Sequence, residues 1–278
     1  MTDPATPGAG HDAIAATGPA TAAARNLPTE RTRRRALARR APLAAGLVAA
    51  LLGTGAAAAQ ERWTVLGDVA AMSDRDERGL SLSDRGPTGV AALEAARTLG
   101  GRAGELFMGV QGGYVRDLAG RNAHVSGYAG WARRLGGAYD LSVTVYADSF
   151  HGEGSSRAYV DSRVSVARDI GLVYVRGGLS LAPDGRWSDP DGLVAYPFAE
   201  VQVPVPRLPW LTVLAGGGYS SVKGDDGGRT GRGDWFAGLA ASRGPAELSL
   251  RYVDTSGAHG PRDRLGRARA VAALRLYF

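Results

Sequence analysis

The chain of 278 residues has no cysteine, which excludes a disulfide framework and a thiolate metal site in any compartment. Histidine is nearly as scarce. Of the four, His11 lies near the start, and His151 and His259 sit in Gly-rich contexts without metal-ligand spacing. No H-E-x-x-H, P-loop, G-x-S-x-G or dinucleotide fingerprint occurs in a suitable context. Accordingly no catalytic residue, metal or cofactor is expected. Aromatic residues make up 7%, with Tyr (10) ahead of Phe (5) and Trp (5), which suits a chain with one apolar and one wet surface.

The formal charge of +6 invites a nucleic-acid reading until it is apportioned. Residues 1–59 hold seven arginines, from Arg25 to Arg40, against Asp3, Asp12 and Glu30. The remainder carries 26 basic against 24 acidic residues, a net of +2. The basic excess therefore belongs to the leader, and no nucleic-acid partner follows.

That leader has the three parts of a secretory signal. Arg31–Arg40 is strongly basic, Ala41–Ala59 is apolar and Ala-rich, and Ala57 and Ala59 fit a small-x-small cleavage site after Ala59. The apolar run contains Pro42, Gly46, Gly53 and Gly55, too weak for a spanning helix of ~20 strongly apolar residues. An uncleaved N-terminal anchor is the alternative. Thr32, Arg33 and Arg34 faintly resemble a twin-arginine signal, but Ala36 stands where a large apolar residue is preferred. Residues 1–59 are thus assigned to an unstructured extension and export signal, and 60–278 to one folded domain.

What is abundant is glycine, 41 residues, together with period-two alternation. In Tyr139–Asp148 the residues Tyr139, Leu141, Val143, Val145 and Ala147 share one face, and Asp140, Ser142, Thr144, Tyr146 and Asp148 the other. About twelve such runs are found, near 62–72, 87–97, 104–115, 122–133, 138–150, 157–168, 170–181, 193–204, 210–221, 233–242, 245–254 and 267–278. Only Val90–Thr98 is ambiguous with a helix. The count is even, the runs approach the 9–11 residues a tilted strand needs to cross a bilayer, and short links alternate imperfectly with longer polar ones. The fold class expected is all-β: a single antiparallel transmembrane barrel of about twelve strands.

A soluble barrel or sandwich would fill its interior with large aliphatics and aromatics. Here the apolar face is thin, and the opposite face carries ions in most strands. Asp140, Asp161, Arg163, Arg176, Glu200, Glu247, Arg251 and Arg275 are the candidates for a wet or charge-paired lumen, leaving the apolar face to lipid. A secreted soluble β-protein is the competing reading. The expected location is the outer membrane of a Gram-negative bacterium, with outer-membrane lipid, the barrel-assembly machinery and small solutes as partners.

Ser73–Pro87 reads SDRDERGLSLSDRGP. It resembles the opening motif of the TorF family of porins, S-D-Y-x-x-R-G-x-S-x-S-D-x-x-P. Ser73, Asp74, Arg78, Gly79, Ser81, Ser83, Asp84 and Pro87 match, while Arg75 replaces the family's Tyr. Gly127–Gly130, Phe198–Glu200 and the terminal Phe278 are further parallels. The resemblance implies an outer-membrane porin without defined catalytic residues. Read from the residues alone, Arg78 with Asp74 and Asp84 could form an ion-pair network, or the segment could be a solvated polar loop. Phe278, preceded by apolar residues at alternate positions, resembles the C-terminal strand signal read during barrel assembly.

One constellation of potential chemistry remains. His124 and Ser126 share a strand face, with Glu105 on the preceding strand, and a His-x-Ser pair on a lipid-facing surface serves outer-membrane deacylases. Their position opposite Val125, Ala129 and Trp131 assigns them to the lumen instead. The function expected is passive passage of small solutes through a mixed-charge lumen. A closed structural or adhesive barrel is the alternative, and a lipid-modifying enzyme a more remote one.

Overall fold

The computed structural model describes residues 63–278 apart from 101–102, 118–119, 137, 153–155, 190–191, 224–228 and 258–262. The expected export signal and cleavage site lie outside the described residues.

Each long alternating run becomes a strand. In chain order these are β1 (Thr64–Met72), the two-residue strands β2 (Asp76–Glu77) and β3 (Leu80–Ser81), then β4 (Thr88–Leu99), β5 (Gly104–Tyr114), β6 (Arg121–Leu135) and β7 (Tyr139–Gly152). They continue with β8 (Arg157–Ile170), β9 (Val173–Ala182), β10 (Val194–Val205), β11 (Leu208–Lys223), β12 (Arg229–Arg243), β13 (Ala246–Ser256) and β14 (Arg269–Tyr277), with a single helical turn, α1 (Asp263–Gly266), before the last. The twelve long strands form one closed antiparallel barrel in which each pairs with its neighbours in the chain, and β14 returns to β1. Closure leaves no open edge, the condition for strands in hydrocarbon.

Val90–Thr98, ambiguous in sequence, is strand. Thr88, Val90, Glu94 and Ala96 face inward and Leu93 outward, so its helical look was an effect of alanine content. The β8–β9 turn falls at Gly171 and Leu172, because β8 runs on to Ile170, two residues past the expected run 157–168.

The polarity is inverted relative to a soluble barrel. Val143, Val145, Val164, Leu239 and Leu250 are exposed on the outside, whereas Asp161, Glu200, Glu247, Arg251 and Arg275 are buried inside. Exposed Trp63, Tyr139, Trp210 and Phe278 ring the end with short turns, and Tyr114, Tyr219, Trp235 and Tyr252 the end with long loops. Two aromatic girdles around an apolar band match the two interfaces of a bilayer. Among the described residues no helix is long and apolar enough to cross a membrane.

Glycine makes the charged interior packable. A Cβ on Gly109 would lie 2.4 Å from the Tyr128 ring, and one on Gly218 2.3 Å from that of Tyr196. These glycines let inward aromatic rings lie against the wall.

Candidate functional site

The lumen is occupied by the chain itself. Between β1 and β4 the segment 73–87 turns inward, and β2 pairs with β3 as a small hairpin strap. Ser73 continues the β1–β14 ladder, its N–H donating to the Ala272 carbonyl (2.8 Å) and its Oγ accepting the Ala272 N–H (2.9 Å). Asp74 organises the strap from within. It accepts the hydroxyls of Ser81 (2.6 Å) and Ser83 (2.7 Å) and is paired with Arg269 from β14.

The hairpin turn requires left-handed backbone at Arg78 (φ 48°) and Gly79 (φ 79°). A Cβ on Gly79 would meet Thr255 Oγ1 at 2.2 Å, so glycine is fixed there by conformation and by space. Arg78 then reaches across the lumen. Its Nη2 donates to Asp161 Oδ2 (2.8 Å) and to Ser180 Oγ (2.8 Å), and its guanidinium lies 4.2 Å over the Tyr196 ring. Burial pushes the Arg78 guanidinium below the ordinary arginine value, and the like charge of Arg186 adds to this.

The grouping of Arg78 with Asp74 and Asp84 is therefore corrected. Asp74 pairs with Arg269, Arg78 with Asp161, and Asp84 with Arg264 (2.7 Å) on the half-exposed outer side. The strap aims Arg78 at the far wall, away from both aspartates. Nor is the motif a solvated loop, for Asp74, Arg78, Ser81 and Ser83 are all buried.

A second segment enters from the β9–β10 connection. Arg186 pairs with Glu77, with Asp148 (3.4 Å) and with Asp161. Trp187 packs with Leu80, Leu82, Val115, Phe150, Tyr159 and Leu265 into an apolar cap at the long-loop end. The run 184–191 reads as an external loop by composition, and its two inward residues were missed. Trp187 was the one apolar hint.

The eight lumen candidates occupy several levels rather than one cluster. Arg176 and Glu200 pair across neighbouring strands (2.8 Å), and Arg251 holds Asp76 of the strap (2.7 Å). Arg163 lies over Tyr146 (5.2 Å) and Phe198 (5.3 Å). Near the short turns, Glu247 stands opposite Arg275, which pairs with Asp68 (3.2 Å), and half-buried Asp140 is 3.8 Å from Arg134. Between strap and wall lies a cavity of about 100 Å³, bordered by charged groups including Arg75, Glu77, Asp148, Glu200 and Arg251.

His124 and Ser126 do face the lumen, buried on β6. Glu105, however, stands opposite Ala132 while His124 stands opposite Gly113, at the other end of the strand pair. The ring of His124 lies between Arg75 Nη2 (2.8 Å from Nδ1) and Asp148 Oδ1 (3.1 Å from Nε2). Neither nitrogen is free to take a proton from Ser126. Among the described residues no group of three or more His, Asp or Glu is placed to hold a metal.

The model of one bacterial family matches residues 56–271, a span that includes the strap and almost the whole barrel. The chain belongs to the Gcw_chp family. That family is described as bacterial proteins of unknown function, so membership carries no activity, and the TorF resemblance of the strap motif stands as a finer proposal. No curated protein matches the chain.

Among solved structures the Gcw_chp barrel is similar to a chain from work on the in-meso crystallization of membrane proteins (13% identity, 77% of this chain and 83% of that one, TM-score 0.50). It also matches the NanC porin (12%, 76% and 98%, 0.46) and LpxR from Salmonella typhimurium (11%, 77% and 99%, 0.44). At such identities the similarity concerns the fold alone.

Proposed function

We propose that the protein is an outer-membrane β-barrel of the porin type, related to the TorF porins by its strap motif. It offers small polar solutes and ions a narrow passage whose waist is the strap. The observation that carries this is the inverted polarity. An apolar belt with two aromatic girdles surrounds an interior of charged side chains and a residual cavity, where a soluble protein would have an apolar core. No enzymatic role is included, since His124 is engaged on both nitrogens.

The closed-barrel reading has its own support, because the strap's charges are matched by the wall and the outer end is capped by apolar side chains. Planar-bilayer recording of the mature protein separates the two. The porin reading expects small, reproducible conductance steps, and Arg251→Glu should move the reversal potential toward cation selectivity, because a narrow lumen focuses each charge. A wild-type barrel inserted in the bilayer that never conducts would leave the closed barrel.

A further inference from the structure

Strap and wall meet at the imidazole of His124. Arg75, at the root of the strap, places Nη2 2.8 Å from Nδ1 of the ring. A guanidinium can only donate, so Nδ1 must carry the lone pair and the ring proton must sit on Nε2, toward Asp148 Oδ1 at 3.1 Å. The ring is buried, with Phe150 tilted against it at 4.5 Å between centroids.

We propose that His124 is a pH-sensitive latch for the strap. When the imidazole is neutral it holds Arg75 and keeps the strap in the lumen. When it is protonated, Nδ1 becomes a donor facing another donor, and the strap lets go at its root. The sign follows from the bond: it needs an unprotonated Nδ1, so it is present at higher pH and lost when acidification protonates the ring.

The neighbouring charges allow this. Asp148 on β7 accepts from the ring in both states, and Arg186, which shares Asp148 at 3.4 Å, opposes a second cation. Burial lowers the Arg75 guanidinium below the ordinary arginine value, and Glu77 and Asp76 of the strap, with Asp148, partly offset this. Asp161 on β8 is committed to Arg78 and Arg186, Arg121 on β6 lies over the Phe150 ring (5.6 Å) and is paired with Asp117, and Ser126 on β6 and Gln111 on β5, which line the same cavity, are uncharged. Four other contacts that hold the strap, Arg78–Asp161, Arg186–Glu77, Arg251–Asp76 and Arg269–Asp74, are arginine–carboxylate pairs that do not involve the imidazole. Arg75 also braces both arms of the strap. Its N–H donates to Ser83 Oγ (3.0 Å) and its carbonyl accepts from the Leu82 N–H (2.6 Å), so its displacement is felt at Leu80 and Leu82 in the cap.

The latch rests on the strap lining the passage and not on the barrel conducting. Because the chain lacks cysteine, a single Leu80→Cys reports on the strap. Labelling by a water-soluble maleimide is measured on the mature protein in liposomes at about pH 7.5 and about pH 5, each rate normalised to the unfolded protein at the same pH. Acidification should raise the rate about tenfold or more, the worth of one hydrogen bond to a charged group. With His124→Gln, whose amide accepts from Arg75 and donates to Asp148 without titrating, the rate should stay low at both values. With His124→Lys it should be high already at pH 7.5. Hydrogen exchange of the strap amides in the protein without the reporter gives the same comparison if Leu80→Cys fails to fold. A rate indifferent to pH, or a rise that survives His124→Gln, overturns the latch. Conductance recorded in parallel keeps the two proposals apart: labelling that follows pH on a barrel that never conducts removes the porin reading alone, and conductance with pH-indifferent labelling removes the latch alone.

Discussion

Asp161 has no exposed surface and serves Arg78, Arg186 and the hydroxyl of Ser180. A carboxylate in such a place is tolerated because its charge is matched, and neutralising it leaves the buried Arg78 guanidinium without its carboxylate and takes one of three from Arg186. Asp161→Asn is therefore expected to destabilise the barrel by about 3–5 kcal/mol, read as a lower urea midpoint with an unchanged slope. A loss under 1 kcal/mol would mean that the lumen is wet enough to screen the pair. Asp161 itself was legible from alternation on β8, since strand period alone sets its face. Its partners were not, because Arg78 is 83 residues away in the chain and no local pattern records a contact across a lumen.

At the scale of elements, local rules located the twelve long strands to within a few residues, since each pairs with its chain neighbour and shows one face to each medium. The strap escaped the same rules. Strands of two residues show no period, and Asp76–Ser81 is too polar to read as anything but a loop. The short turns offer a test of local chemistry. In the β10–β11 turn Pro206 is followed by Arg207 at φ 71°, a left-handed residue where glycine is preferred after proline. Arg207→Gly should relieve that strain and, after the added flexibility of the unfolded chain, raise stability by a few tenths to about 1 kcal/mol. Equilibrium denaturation of the refolded barrel measures it, and a loss of stability would show that the Arg207 side chain makes a contact worth more than the strain.

At the scale of the whole molecule, two surfaces of opposite character obey opposite substitution rules. Val145 is 48% exposed in the middle of β7, and Val145→Arg should cost about 2–4 kcal/mol of membrane stability by placing a charge at mid-bilayer depth. A soluble barrel would accept the same change almost freely, so equal stability of the variant in lipid would argue against a bilayer around this face. Closure has a separate consequence, in time rather than in energy. Eleven of the twelve seams join consecutive long strands, whereas the seam from Asp68–Met72 to Ala273–Tyr277 joins the two ends of the barrel and is the shortest ladder, finished by reciprocal N–H···O bonds of 2.9 Å between Gly67 and Phe278. Neighbouring hairpins close small loops, while this one must close some two hundred residues at once, and contacts of such separation form late. Until it forms, β1 and β14 are bare edges and the strap, anchored between β1 and β4, has no lumen to enter. The barrel is expected to zip up strand by strand and to gain its charged interior in one final step.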